Sequence, residues 1–207
     1  MSEETFQFAP TLHTERLTLT LVDLNNKADE EEFSELLAAG AREILKLEGE
    51  EVTRNVQECI DFYRSYGRIQ PKFLGGRKAD RCAIWLVRLG ANSPEGKCIG
   101  AAYMVQRSVI PDQAWVIVPE YRGQGYAAES AKEVLRYFRD DLGIQQLMAL
   151  IHPSSPKSPN VAKRAGYVLF EDRVMFQDGV TALLMYATST TTPFPKDVLF
   201  KRFDRME

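Results

Sequence analysis

The sequence has few cysteines, no long apolar run and no surplus of positive charge. Its three cysteines, Cys59, Cys82 and Cys98, are an odd number without paired spacing. That argues against a disulfide framework and against a zinc site, and for free thiols in a reducing compartment. No metal is expected. No apolar stretch approaches the roughly 20 residues that a membrane-spanning helix needs. Met1-Ser2-Glu3-Glu4 lacks the basic and apolar regions of a secretory signal, so a cytoplasmic protein without membrane attachment is expected. The formal net charge is −3, whereas nucleic-acid-binding domains are usually basic, so no nucleic acid is expected as a partner. The nearest basic run, Gly76-Arg77-Lys78-Ala79-Asp80-Arg81, is broken by an acid and reads as a solvated loop. Internal repeats and interdomain linkers are also missing.

What remains is one domain's worth of chain. The 207 residues, 44% hydrophobic and 27% charged, suffice for a sizeable core. The first fourteen residues read as an arm with little secondary structure. Leu17, Leu19 and Leu21 alternate with polar residues and predict a half-buried strand. After the turn Asn25-Asn26, an acidic first turn at Asp29–Glu32 opens a helix with Phe33, Leu36, Leu37, Ile44 and Leu45 on one face and Gly40 as a weak point. Val52, Val56, Cys59, Ile60 and Tyr63 mark a second helix. Residues 82–88 and 98–105 read as a hairpin, and residues 114–118 as a short apolar strand. A regular helix follows, with Ala127, Ala131, Val134, Leu135, Phe138 and Leu142 as its stripe and Gly143 as its stop. Residues 146–151 form a parallel strand. Ser158 is expected to cap a short helix that starts at Pro159. Residues 167–176 and 180–187 pair through the turn Asp178-Gly179.

The most informative stretch joins strand 114–118 to the long helix: Pro119-Glu120-Tyr121-Arg122-Gly123-Gln124-Gly125-Tyr126-Ala127. Two glycines one residue apart leave backbone N–H groups unobstructed. The helix start adds further free N–H groups and the positive end of its dipole. Strand, glycine turn, helix and strand together are the setting that a phosphate cradle requires. The turn lacks the Lys-Ser/Thr end of a P-loop and the third glycine of the dinucleotide fingerprint, which disfavours nucleotide-triphosphate and nicotinamide chemistry.

This run resembles the acyl-CoA signature Gln/Arg-x-x-Gly-x-Gly/Ala of the GNAT superfamily N-acetyltransferases, and the order of elements agrees over about residues 14–187. The segment from His152-Pro153 to Gly166-Tyr167 is similar to the family's second landmark, closest to the branch that acetylates N-terminal amines of ribosomal proteins. The resemblance implies a single-domain α/β (α+β) fold: a mixed, mostly antiparallel sheet with a central parallel βαβ unit and helices on both faces. It divides the chain into an arm at 1–13, an acyl-CoA N-acyltransferase domain at 14–187 and a tail at 188–207. It also implies acetyl-CoA as cofactor and, as acceptor, a small-molecule amine or a peptide N-terminus. A monomer or homodimer is expected.

By the same resemblance, the signature strand and its parallel neighbour splay apart, and the pantetheine arm pairs with the backbone at Ile117 and Val118. A strand edge opened inside a sheet suits an extended, amide-bearing ligand, and an N–H there suits the oxyanion of thioester attack. Gly123, Gln124, Gly125, Tyr126 and Ala127 would hold the pyrophosphate. Arg122 reads equally as a phosphate partner and as a surface arginine beside a turn. Asp112 stands where many relatives carry a Glu, which makes it the candidate base, although after Pro111 it also reads as a turn former. The tyrosine that many relatives use as proton donor is replaced by Ala162, and the common loop asparagine by Ser155. Ser155 remains a candidate cofactor contact, and Ser158 a candidate donor to the sulfur as well as a helix cap.

Overall fold

One strand explains the architecture. In β3 (Ala83–Leu89), Ala83, Trp85 and Val87 enter one hydrophobic core, and Ile84 and Leu86 enter another. A strand points successive side chains to opposite faces, so a strand apolar on both faces belongs inside a sheet covered on both sides.

The computed structural model describes residues 5–107, 109–152, 155–175 and 182–189. The other strands are β1 (Thr11–His13), β2 (Leu17–Leu21), β4 (Cys98–Val105), β5 (Asp112–Ile117), β6 (Met148–Ile151), β7 (Tyr167–Met175) and β8 (Ala182–Thr188). They form one sheet in the order β1-β2-β3-β4-β5-β6-β8-β7. Every neighbouring pair is antiparallel except β5 and β6. Helices α1 (Lys27–Gly40) and α2 (Glu50–Ser65) cover one face through Phe33, Leu36, Ile60 and Tyr63. Helices α3 (Tyr126–Arg136) and α4 (Ser158–Ala165) cover the other through Ala131, Val134, Leu135, Ala162 and Ala165. The expected mixed sheet, parallel βαβ unit and two helical layers are all present.

Local readings needed three corrections. Part of the presumed unstructured arm is β1, which pairs Leu12 with Leu19, and the arm buries both Leu12 and the preceding Phe8. The helical pattern of α1 does not run on to Leu45. After Gly40 the chain loosens into a π turn over Ala41–Leu45 that ends on left-handed Lys46, and the wider turn swings Ile44 and Leu45 out to 37% and 49% exposure. Finally, α4 begins at Ser158 itself. Lys157 stands at the N-cap in a helical conformation, with no side-chain cap, because the preceding turn already bonds the Ser158 N–H to the Ser155 carbonyl. The Asp178-Gly179 turn and the tail from residue 190 onward lie outside the described residues.

Candidate active site

The parallel ladder between β5 and β6 is confined to Asp112↔Met148 and Gln113↔Ala149. Beyond Gln113, β5 continues through Ile117 paired only with β4 on its other side, while β6 stays with β8. The sheet therefore forks with Asp112 and Gln113 at the crotch. The Val118 N–H donates to the Ile99 carbonyl of β4, and main-chain groups alternate sides along a strand. Trp115 and Ile117 thus turn their N–H and C=O groups toward the β6 side of the fork. This redistributes the pairing expected at Ile117 and Val118. Val118 has its N–H on Ile99 and its carbonyl accepting from the Tyr121 N–H at 3.0 Å, so the open edge consists of both main-chain groups of Trp115 and the N–H of Ile117, whose carbonyl accepts from Arg122.

Close contact between β4 and β5 sets this edge. A Cβ at Gly100 would lie 2.1 Å from the Val116 oxygen and 3.1 Å from the Ile117 Cα. Only glycine lets the two backbones approach there.

A short turn, Pro119–Tyr121, leads from β5 to the cradle. Gly123 and Gly125 have φ of +80° and +88°, a region that side-chain-bearing residues disfavour. Gly125 is the N-cap of α3, and no side chain caps that helix. The first N–H groups of α3, at Tyr126 and Ala127, therefore keep an anion-binding arrangement. Open space surrounds Gly123, with nothing within 4 Å of an added Cβ.

Arg122 lies at the meeting of edge and cradle. Its Nε donates to the Ile117 carbonyl at 2.7 Å, and its Nη1 pairs with Glu43 in the π turn after α1. The hydrogen bond from Arg122 holds the Glu43 carboxyl below its ordinary range, against some desolvation, with Lys46 and Lys157 adding attraction.

Asp112 is fully buried. Its Oδ1 accepts from Arg107 Nε at 2.9 Å and also from Nη2, and its Oδ2 accepts from the Arg107 main-chain N–H at 3.4 Å. Burial opposes the charge on Arg107, but Asp112 outweighs it and pushes the guanidinium pKa up. Tyr63 and Tyr103, hydrogen-bonded to each other and raised in pKa by burial, share this neighbourhood. On the opposite face, the Tyr167 hydroxyl donates to Gln113 Oε1 at 2.7 Å, and Gln113 Nε2 donates to the Ala131 carbonyl at 2.9 Å. Ala162 is fully buried. Ser155 and Ser158 bracket the turn into α4 and are half-buried. Among the described residues, no group of three His, Cys, Asp or Glu side chains could hold a metal, and no helix is long and apolar enough to cross a membrane.

A family model described as an acetyltransferase (GNAT) domain matches residues 16–168. The chain belongs to the GNAT acetyltransferases. Members of this family are acyltransferases that use acetyl-CoA. No curated protein matches the sequence. Among solved structures, an acetyltransferase from Agrobacterium tumefaciens shares 22% identity at a TM-score of 0.62, over 92% of this chain and 100% of that one. A Vibrio cholerae protein assigned as a ribosomal-protein-serine acetyltransferase shares 14% at 0.54, over 87% and 98%. The microcin C7 self-immunity acetyltransferase, solved with acetyl-CoA and AMP, shares 12% at 0.54, over 86% and 94%. At these identities the likeness is one of fold.

The fork was implied by the family resemblance, and the two-glycine turn ahead of α3 was legible in the sequence. Several neighbours of the cradle were not. Arg16, in the β1–β2 turn, donates to the Gln124 carbonyl at 3.1 Å and to Glu129 of α3 at 2.8 Å. Its guanidinium also lies over the Tyr126 ring, 4.7 Å from the centroid. More than a hundred residues separate these partners, and no local pattern announces them. Glu43 was likewise hidden, because its position depends on the π turn.

Proposed function

We propose that the acetyltransferase transfers an acetyl group from acetyl-CoA to a primary amine, on a small molecule or a peptide N-terminus, by direct attack in a ternary complex. The observation that carries this reading is the fork: an unpaired β5 edge running straight into an uncapped helix N-terminus with two left-handed glycines. These features fit the ligand. The cradle from Gly123 to Ala127 suits a diphosphate, and the N–H and C=O of Trp115 with the N–H of Ile117 suit the amides of a pantetheine arm. Acetyl-CoA, when bound, supplies a thioester whose acyl carbon forms a C–N bond with the amine as its C–S bond breaks.

The protein's share of the chemistry is chiefly placement. An outward N–H of β5 is positioned to donate to the oxygen that gains charge at the acyl carbon. Ser158 and Ser155, in the turn that opens α4, would hydrogen-bond the sulfur side of the ligand on this reading. Asp112 has its carboxylate engaged by Arg107, so its role is to fix the crotch of the fork. The amine's proton passes to water, and holding the reactants together supplies most of the rate. The acceptor class accords with the ribosomal-protein-serine assignment of the similar Vibrio cholerae protein. The same reading carries the expectation of a cytoplasmic site of action.

The buried Ala162 at the usual proton-donor position favours one second reading, a non-catalytic acyl-CoA-binding module. Thermal unfolding with and without acetyl-CoA tests both. Binding to the native state raises stability by about 2.7 kcal/mol at a hundred times the dissociation constant, and no shift at saturation overturns both readings. Thiol release across a panel of amines and N-terminal peptides then decides. Release above the hydrolytic background supports the enzyme, and its absence with every acceptor supports the module.

A further inference from the structure

We propose that Arg16 is a positioning residue of the phosphate cradle, clamping the Gln124–Gly125 peptide so that its N–H faces the diphosphate. This rests on the reading of residues 123–127 as the diphosphate site. A trans peptide is planar, and its C=O and N–H point in opposite directions. Holding the Gln124 oxygen therefore aims the Gly125 N–H the other way. That peptide needs a clamp. Its orientation is set by ψ of Gln124 and φ of Gly125, and glycine populates both signs of φ with similar ease. The N–H most useful for an anion is thus the one most free to turn away.

Arg16 is built to hold it. Nη1 donates to the Gln124 oxygen at 3.1 Å, while Nε donates to Glu129 Oε2 at 2.8 Å. The planar guanidinium fork serves both partners at once, and its face lies over the Tyr126 ring. The support is itself held. Glu129 Oε1 accepts from the Arg16 N–H and the Thr14 hydroxyl, and the same Thr14 oxygen accepts from the Leu17 N–H at 2.9 Å. The β1–β2 turn thereby docks on the first turn of α3. Glu129 would otherwise place an unneutralised carboxylate beside the diphosphate, and Arg16 cancels it.

The test compares acetyl-CoA with acetyl-pantetheine, which lacks the diphosphate. In the wild type, the ratio of KM for acetyl-pantetheine to KM for acetyl-CoA measures what the whole nucleotide end, diphosphate included, contributes, and its change on substitution measures the share that Arg16 supports. Arg16→Ala is expected to lower this ratio about tenfold or more, whereas a general loss of structure affects both ligands alike. Arg16→Lys keeps the charge but cannot span both partners, and is expected to lower the ratio as well. An unchanged ratio in Arg16→Ala overturns the clamp, and a wild-type ratio retained by Arg16→Lys overturns its geometry in favour of charge alone. A wild-type ratio near one instead overturns the diphosphate site on which the clamp rests.

Discussion

Arg122 donates from Nε to the Ile117 carbonyl at 2.7 Å, so the last residue of the signature strand is tied to the first residue of the signature turn. The same guanidinium pairs with Glu43. One side chain thereby links the open strand edge, the cradle and the π turn after α1. The Arg122 hydrogen bond lowers the Glu43 pKa from its ordinary value. A carboxylate depressed by folding contributes stability above its unfolded pKa and loses it as pH falls through the folded value. Both partners are partly exposed, so the contribution is about 0.2–1 kcal/mol. Unfolding free energies of wild type and Glu43→Gln are expected to differ by this amount at neutral pH and to converge as the pH falls through the lowered folded pKa of Glu43. The difference should also shrink in high salt.

Gly100 makes a second prediction. Its absent Cβ would stand 2.1 Å from the Val116 oxygen and 2.7 Å from Ile117 Cδ1. Backbone cannot yield as a flexible side chain can, so Gly100→Ala must push β4 from β5 on the paired side of the strand, behind its open edge. The expected loss is about 1–3 kcal/mol or more in urea unfolding, together with weaker acetyl-CoA binding by calorimetry. Gly123→Ala is the contrast. Its Cβ meets nothing, and the cost of about 1–2 kcal/mol comes from the left-handed conformation alone.

The sequence made some of this legible and hid the rest for identifiable reasons. Glycines at 123 and 125 before a strongly periodic helix are local signals, and they located the left-handed turn and the uncapped start of α3. The apolar stripe of α2 is also local, and Val52, Ile60 and Tyr63 are buried as its spacing implied. The π turn was less legible. Gly40 signalled weakness, but the widened turn that exposes Leu45 is a choice among similar helical states. Which of two adjacent residues faces the fork depends on register, and a one-residue step moves the role from Val118 to Trp115 and Ile117. Arg16 and Glu129 meet only because β2 is carried beside the start of α3, a consequence of the completed fold.

Tyr167 supplies a third prediction. Its hydroxyl donates to Gln113 Oε1, and Gln113 Nε2 donates in turn to the Ala131 carbonyl. This buried chain joins β7, the crotch of the fork and α3. Burial pushes the Tyr167 pKa well up, and its hydroxyl is committed to Gln113. Tyr167→Phe leaves Gln113 Oε1 without its donor, and a loss of about 1–3 kcal/mol is expected in chemical unfolding. The pH dependence of turnover should stay as in the wild type. A lost limb in the profile would assign the hydroxyl to proton transfer instead.

Asp112 separates structure from chemistry most sharply. It is fully buried at the crotch of the fork, with Arg107 on both of its oxygens. Asp112→Asn leaves the largely enclosed Arg107 charge, 18% exposed, without its counter-ion, a change whose cost reaches about 3–5 kcal/mol in fully buried pairs and is expected to be smaller here. Replacing both members by Asp112→Asn with Arg107→Met removes the uncompensated charge, and most of the lost stability is expected to return. The double variant then isolates the chemical question. If Asp112 only holds the fork, stability and acetyl-CoA turnover recover together, and the pH–rate profile keeps its shape. If the carboxylate takes the amine's proton, stability recovers but turnover does not, and the acidic limb of the profile disappears. The two oxygens bound to Arg107 lead us to expect the first outcome, and unfolding curves measured beside pH–rate profiles on the same preparations decide it.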